Sequence, residues 1–94
     1  MNRAYVIEML MEGWVDNADE DTIRYYKDSQ MEFYNSLSDH ELKTKYEHLI
    51  EIAGTYHKQR LMKIIRSINP DYPLGAGMIA EIKHHQQALE NLGL

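Results

Sequence analysis

The chain has 94 residues, no cysteine and a formal net charge of −5 at pH 7. This length corresponds to one domain, and the absence of cysteine excludes disulfide bonds and thiol chemistry. No apolar run approaches the roughly 20 residues that span a membrane. Acidic Glu8 and Glu12 interrupt the N-terminal apolar stretch, which is unlike a secretory signal. We therefore expect a single cytoplasmic domain that does not associate with a membrane.

Charge is distributed unevenly along the chain. Residues 1–55 contain five Lys/Arg and twelve Asp/Glu, a balance of −7, whereas residues 56–94 contain five Lys/Arg and three Asp/Glu, a balance of +2. Two such halves attract each other, either within one chain or between two copies. The same asymmetry argues against indiscriminate DNA binding by the whole surface.

Helical periodicity dominates the sequence, and strand signals are nearly absent. The first predicted helix runs from about Asn2 to Trp14, with Asn2 as its N-cap. Asn17 and Glu20 have capping-box spacing, and they predict a second helix that continues to about Ser36. The residues expected to face the core on this second helix are Ile23, Tyr26, Gln30, Phe33 and Leu37.

A third helix has the clearest start signal. Ser38-Asp-His-Glu41 is a capping box, and Leu37 and Leu42 occupy the two positions of a hydrophobic staple. An apolar line that drifts slowly around the helix extends the prediction to Ile68. The helix is then either continuous over about 30 residues, and near 45 Å long, or kinked at Gly54. We favour one long and slightly bent helix.

A loop over residues 69–77 precedes the last predicted helix, which runs from Met78 to about Leu92 and stops at Gly93. The fold class is therefore all-α, with about four helices in a bundle-like arrangement over residues 1–94. Because the long third helix outruns its neighbours, we expect a second copy of the chain to cover its apolar stripe.

The second helix carries four aromatic rings in the stretch RYYKDSQMEFY. Helical spacing places Tyr26 and Phe33 on one line, which we assign to the core, with Tyr25 and Tyr34 to either side. Tyrosine suits surfaces that are partly dry and partly wet, and it is enriched at protein interfaces. We therefore expect Tyr25, Tyr34 and Trp14 to contact a partner, although a plain half-buried surface would explain the outer tyrosines equally well.

The C-terminal part of the third helix carries a basic face. Arg60, Lys63 and Arg66 lie largely opposite the apolar stripe, with Tyr56 one turn before them. Basic side chains next to an aromatic ring are typical of sites that hold phosphates or nucleotides. The simpler interpretation is a solvated face that pairs with the acidic first half of the chain.

Catalytic motifs are approached but never completed. His40-Glu41 begins the zinc motif H-E-x-x-H, but Thr44 stands in place of the second histidine. The spacing of acidic residues over 17–28 is similar to a calcium loop, but the glycine at its sixth position is missing. We therefore expect no enzyme activity, no catalytic residues and no cofactor.

Metal binding is not expected either. A di-iron bundle requires two E-x-x-H pairs, and this chain has only the pair Glu81 and His84. The adjacent residues His84 and His85 diverge by about 100° on a helix, which makes it difficult for them to share one ion.

In its small size, acidic balance and lack of a catalytic set, the chain resembles small accessory proteins of bacteriophages and mobile elements, although no specific motif carries the likeness. We predict a non-enzymatic interaction module, a homo-oligomer that inhibits another protein by occluding or sequestering it. The alternative is an anion-binding module for nucleic acid or a small phosphorylated ligand. A helical metal-dependent enzyme is a third and minor alternative.

Overall fold

The computed structural model describes residues 1–94 and consists of α-helices without any strand. The five helices are α1 (Arg3–Asn17), α2 (Glu20–Ser36), α3 (Asp39–Lys45), α4 (Glu47–Ser67) and α5 (Ala76–Leu92). The prediction of an all-α protein is confirmed, but the chain forms five helices rather than four. None of these helices combines the length and the apolar character needed to cross a membrane.

Side-chain caps determine where the first two helices begin. The Asn2 side chain accepts a hydrogen bond from the Tyr5 backbone N–H at 3.2 Å, as the sequence predicts. The second cap is Asp19 rather than Asn17. Asp19 accepts from the Thr22 backbone N–H at 2.7 Å, and this bond lowers the pKa of its carboxyl group. Asn17 instead ends α1, which extends three residues beyond the predicted boundary.

The capping box at the start of α3 is confirmed. The Ser38 hydroxyl accepts from the Glu41 backbone N–H at 3.1 Å, and the Glu41 carboxylate accepts from the Ser38 backbone N–H at 3.1 Å. These bonds lower the pKa of Glu41. Leu42 is fully buried and Leu37 is half-buried against the core, as the two positions of a staple require.

The predicted single long helix after Ser38 is wrong, because the chain leaves helical geometry at Tyr46, where φ is −112° and ψ is 22°. The Tyr46 ring packs edge-on against Tyr34 of α2, with the ring centroids 5.7 Å apart. The apolar residues of this segment turn gradually around the helix axis, so one straight helix could not direct all of them towards the core. The break at Tyr46 allows α3 and α4 each to direct its own apolar residues towards the core. The helix α4 continues through Gly54 without interruption. The alternative prediction, in which the helix breaks at Gly54, therefore does not hold either.

The helices α4 and α5 form a hairpin whose loop is centred near Asp71. Three pairs of buried residues lie at equal sequence distances on either side of Asp71: Ile50 with Leu92, Gly54 with Ala88, and His57 with His85. Residues 58–84, which we call the hairpin arm, include no buried residue. The fully buried part of the hairpin, which we call its packed part, therefore ends at the two histidines. Beyond them the hairpin continues with half-buried apolar side chains, namely Leu61, Ile64, Ile68, Met78 and Ile82.

The core is small and lies where α1 contacts α2 and the packed part of the hairpin. Only 12 of the 94 residues are buried. The main cluster consists of Val6, Ile7, Leu10, Met11, Tyr34, Leu42, Ile50 and Leu92. The molecule measures 55 × 30 × 18 Å with a radius of gyration of 16.6 Å, whereas a compact domain of this length has a radius of about 12 Å. The hairpin arm accounts for this elongation.

No ion pair joins the acidic and basic halves of the chain. The only ion pair joins Arg3 to Asp39 at 3.0 Å, and both residues belong to the acidic half. Arg3 also donates to the Asn35 carbonyl at 2.7 Å, which ties α1 to the turn between α2 and α3. The basic residues of the hairpin arm thus have no acidic partner in this structure.

The capping box makes Ser38 important for stability. We expect Ser38→Ala to destabilise the fold by about 1 kcal/mol, because the Glu41 backbone N–H loses its acceptor, and to lower the melting temperature by roughly 4–8 °C. Thermal unfolding followed by circular dichroism measures this change. Ser29→Ala, an exposed position inside α2, is the control and should leave the melting temperature within about 2 °C. Equal behaviour of the two variants would show that the capping box does not stabilise α3.

Candidate functional site

The aromatic band on α2 faces the opposite way to the prediction. Tyr34 is only 5% exposed, whereas Tyr26 is 60% and Phe33 is 41% exposed. The prediction that Tyr26 and Phe33 lie in the core is therefore wrong, and so is the placement of Tyr34 on the surface. Tyr34 faces inward and packs edge-on against the Tyr46 ring. Phe33 stays at the surface beneath the Lys45 ammonium, 4.7 Å from the ring centroid.

An apolar groove of about 690 Å³ lies between α1 and α4. We call it the Trp14 groove, because the single tryptophan of the chain lines it. Apolar side chains of the two helices form most of its walls: Met9, Leu10, Trp14, Leu49, Ile52 and Ala53. The buried Tyr34 lines it from the core side. Two of the three residues predicted to contact a partner are thus brought together, while exposed Tyr25 is not among the lining residues.

One wall of the groove continues as an exposed apolar stripe along α4. Leu49, Ile52 and Tyr56 follow one another at helical spacing and are 48%, 53% and 53% exposed. Polar groups lie only at the end of the groove, where the α1–α2 turn contributes Asn17, Asp19 and Thr22. No element of this chain covers the stripe, and monomeric proteins rarely expose contiguous apolar surface of this kind without a binding role.

The predicted anion-binding residues are exposed, but they do not converge on one site. Lys63 and Arg66 line a shallow depression together with Gln59 and Met62. Arg60 instead lies close enough to His85 of α5 to influence its ionisation. Tyr56 belongs to the stripe on α4. The four residues thus spread over several directions, and an anion-binding role for them stays a prediction.

A cluster of three histidines joins α4 to α5. His57 Nδ1 lies 2.8 Å from His85 Nδ1, and the nitrogens of His57, His84 and His85 that face one another all lie within 4.8 Å. His57 and His85 are buried, whereas His84 is exposed. The ring centroids of His57 and His85 are 5.0 Å apart, and that of His84 is 5.1 Å from His85 and 5.9 Å from His57.

The environment of the cluster favours neutral imidazole rings. Burial lowers the pKa of His57, and His85 and His84 lower it further. Burial and then His84 lower the pKa of His85, an effect that Glu81 opposes and Arg60 reinforces. At pH 7 both buried rings are therefore neutral. Their short contact requires that one Nδ1 donates a hydrogen bond and the other accepts it, so the two rings adopt different tautomers.

Sequence reasoning missed this cluster because it considered His84 and His85 alone. The third member, His57, stands in the apolar line of the predicted third helix. The available signal was the equal distance of His57 and His85 from the loop centre at Asp71, fourteen residues on either side. In an antiparallel helical hairpin that distance places the two residues at one level.

Comparisons of the chain with protein-family models, with curated proteins and with solved structures found no match.

Because Tyr34 is buried and Tyr26 is exposed, Tyr34 should contribute more to the free energy of unfolding than Tyr26. We expect Tyr34→Ala to cost about 3–5 kcal/mol of stability, because it removes a buried ring from the core. Tyr26→Ala should change stability by less than about 0.5 kcal/mol, since that ring is mostly in solvent. Urea denaturation followed by circular dichroism compares the two variants. If Tyr26→Ala is the more destabilising change, the orientation described for α2 is incorrect.

Proposed function

We propose that the protein is a non-enzymatic interaction module that captures an amphipathic helix in the Trp14 groove and thereby occludes or sequesters the protein that carries it. The observation that carries this proposal is the uncovered apolar groove between α1 and α4. A helix docks in such a groove by burying one apolar face, with contact residues spaced by three and four positions. The matching stripe on α4, two turns long, offers contacts at that spacing.

The charge around the groove favours a basic helix as the occupant. Residues 1–55, which supply α1 and α2 and most of the groove, carry a balance of −7. Glu8 and Glu12 of α1 line a depression beside the groove together with Ala53 and Tyr56 of α4, and no intrachain ion pair neutralises them. Complementary charge accelerates encounter and determines register more than it adds affinity. Apolar burial supplies the affinity, and the acidic surroundings select basic partners.

A second copy of the chain offers a helix of this description. The hairpin arm exposes Met62 and Ile65, at 50% and 58%, beside the unpaired cations Lys63 and Arg66. Reciprocal docking, in which each arm enters the groove of the other chain, would form a closed two-fold dimer. This arrangement would cover the arm and the groove together, and it would place the basic half of one chain against the acidic half of the other.

Self-association tests the groove with the protein alone. We expect the wild-type chain to sediment as a species larger than its 11.1 kDa monomer at about 100 μM. Ile52→Glu in the groove wall and Ile65→Glu in the arm should each weaken association by at least about 30-fold, as a hot-spot loss of 2 kcal/mol or more implies. Tyr26→Ala, an exposed change outside the groove, is the control and should associate like the wild type.

Mixing the two glutamate variants sharpens this test. In a reciprocal dimer, the chain with Ile65→Glu keeps an intact groove, and the chain with Ile52→Glu keeps an intact arm. An equimolar mixture should therefore recover part of the association that neither variant shows alone. The fluorescence of Trp14 reports groove occupancy in the same samples. A wild-type chain that stays monomeric at 100 μM, or an Ile52→Glu variant that associates normally, would contradict groove docking between copies.

A further inference from the structure

The three-histidine cluster has the composition of a metal site. Neutral imidazole is the commonest protein ligand for divalent transition metals, and it binds zinc at about 2.0–2.1 Å. One ring nitrogen from each of His57, His84 and His85 lies within 4.8 Å of the other two. Metal binding requires neutral rings, and burial lowers the pKa of His57 and of His85, which reduces proton competition.

The geometry requires only small movements to accept an ion. Two nitrogens bound to one tetrahedral zinc lie about 3.3 Å apart, from the bond length and angle. The Nδ1 atoms of His57 and His85 are 2.8 Å apart with a hydrogen between them. Replacing that hydrogen by a metal ion therefore separates them by about half an ångström, and it requires each ring to turn by roughly 35° so that both nitrogens point at the ion. The exposed ring of His84 can rotate towards the pair, because no hydrogen bond holds it elsewhere.

We propose that His57, His84 and His85 form a binding site for a divalent transition-metal ion of the zinc class. Three histidine ligands leave a fourth coordination position to solvent. Among the charged groups near the cluster, Glu81 favours a bound cation and Arg60 opposes it. Imidazole ligands select zinc, nickel, copper and cobalt over magnesium and calcium, which prefer oxygen.

The position of the site indicates a structural role. His57 is the last buried residue along α4 and His85 is the first buried residue along α5, so the cluster closes the packed part of the hairpin. Beyond it, the hairpin arm includes no buried residue. An ion bound there links α4 to α5 at the base of the arm. Metal binding should therefore stabilise the fold and restrict the arm's opening.

Cobalt provides a direct spectroscopic test on the untagged full chain. Titration with Co²⁺ should produce visible d–d absorption that saturates at one ion per chain and that Zn²⁺ displaces. Zinc at about 100 times its dissociation constant should raise the melting temperature by on the order of 10 °C. His84→Ala should weaken Zn²⁺ binding at least tenfold, since even supporting residues of metal sites contribute 10–100-fold. His48→Ala, an exposed histidine of α4 outside the cluster, should leave the affinity unchanged.

The choice of His84 keeps the test independent of folding. His84 is exposed, so its alanine variant should melt at the wild-type temperature in the presence of a chelator. Addition of Zn²⁺ should slow trypsin cleavage at Lys58, Lys63 and Arg66 of the arm in the wild type but not in His84→Ala. The His84→Ala sample also shows whether zinc acts on trypsin itself. Equal Zn²⁺ affinity of the wild type and His84→Ala, or saturation at half an ion per chain, would overturn the proposal.

Discussion

The pairing of α4 with α5 is the constraint on which the rest of the structure depends. Three pairs of buried residues lie at equal sequence distances from its loop: Ile50 with Leu92, Gly54 with Ala88, and His57 with His85. The first pair belongs to the main core, which also contains residues of α1. The last pair is polar and in direct contact, and it closes the packed part of the hairpin. On its loop side no side chain is fully buried, and the molecule becomes elongated rather than compact.

This constraint links the groove and the histidine cluster. The buried residues of α4 are Ile50, Gly54 and His57, and the neighbouring Leu49 and Ile52 stay about half exposed. No element of this chain covers these two side chains, which form one wall of the Trp14 groove. Apolar surface is thus left exposed both in the groove and along the arm. If the arm of a second chain docked in the groove, both apolar surfaces would be buried. This is the physical basis of the proposed helix capture.

Local signals in the sequence predicted much of the fold. The caps at Asn2 and Ser38 and the stop at Gly93, which has φ 79°, depend on a few neighbouring residues, and all three are confirmed. The break at Tyr46 was not predicted, because no glycine or proline marks it and the ring that packs against Tyr46 lies on α2, distant in sequence. Tyr34 belongs to the same contact, and its burial is the opposite of the predicted orientation. Helical periodicity identifies an apolar band, but with rings at Tyr25, Tyr26, Phe33 and Tyr34 the band is too wide to show which edge faces inward.

The candidate sites also divide into features that local sequence predicts and features that depend on contacts between distant residues. Trp14, which was predicted to contact a partner, lines the groove, whereas Tyr25 lies elsewhere on the surface. The histidine cluster depends on hairpin register, which periodicity within one helix does not reveal. The central claim, that full burial in the hairpin ends at His57 and His85, is tested most directly by amide hydrogen exchange on dilute, monomeric and metal-free protein. Slow exchange around Ile50 and Gly54 with fast exchange over residues 58–67 is the expected result, whereas uniform protection along the whole of α4 would contradict it.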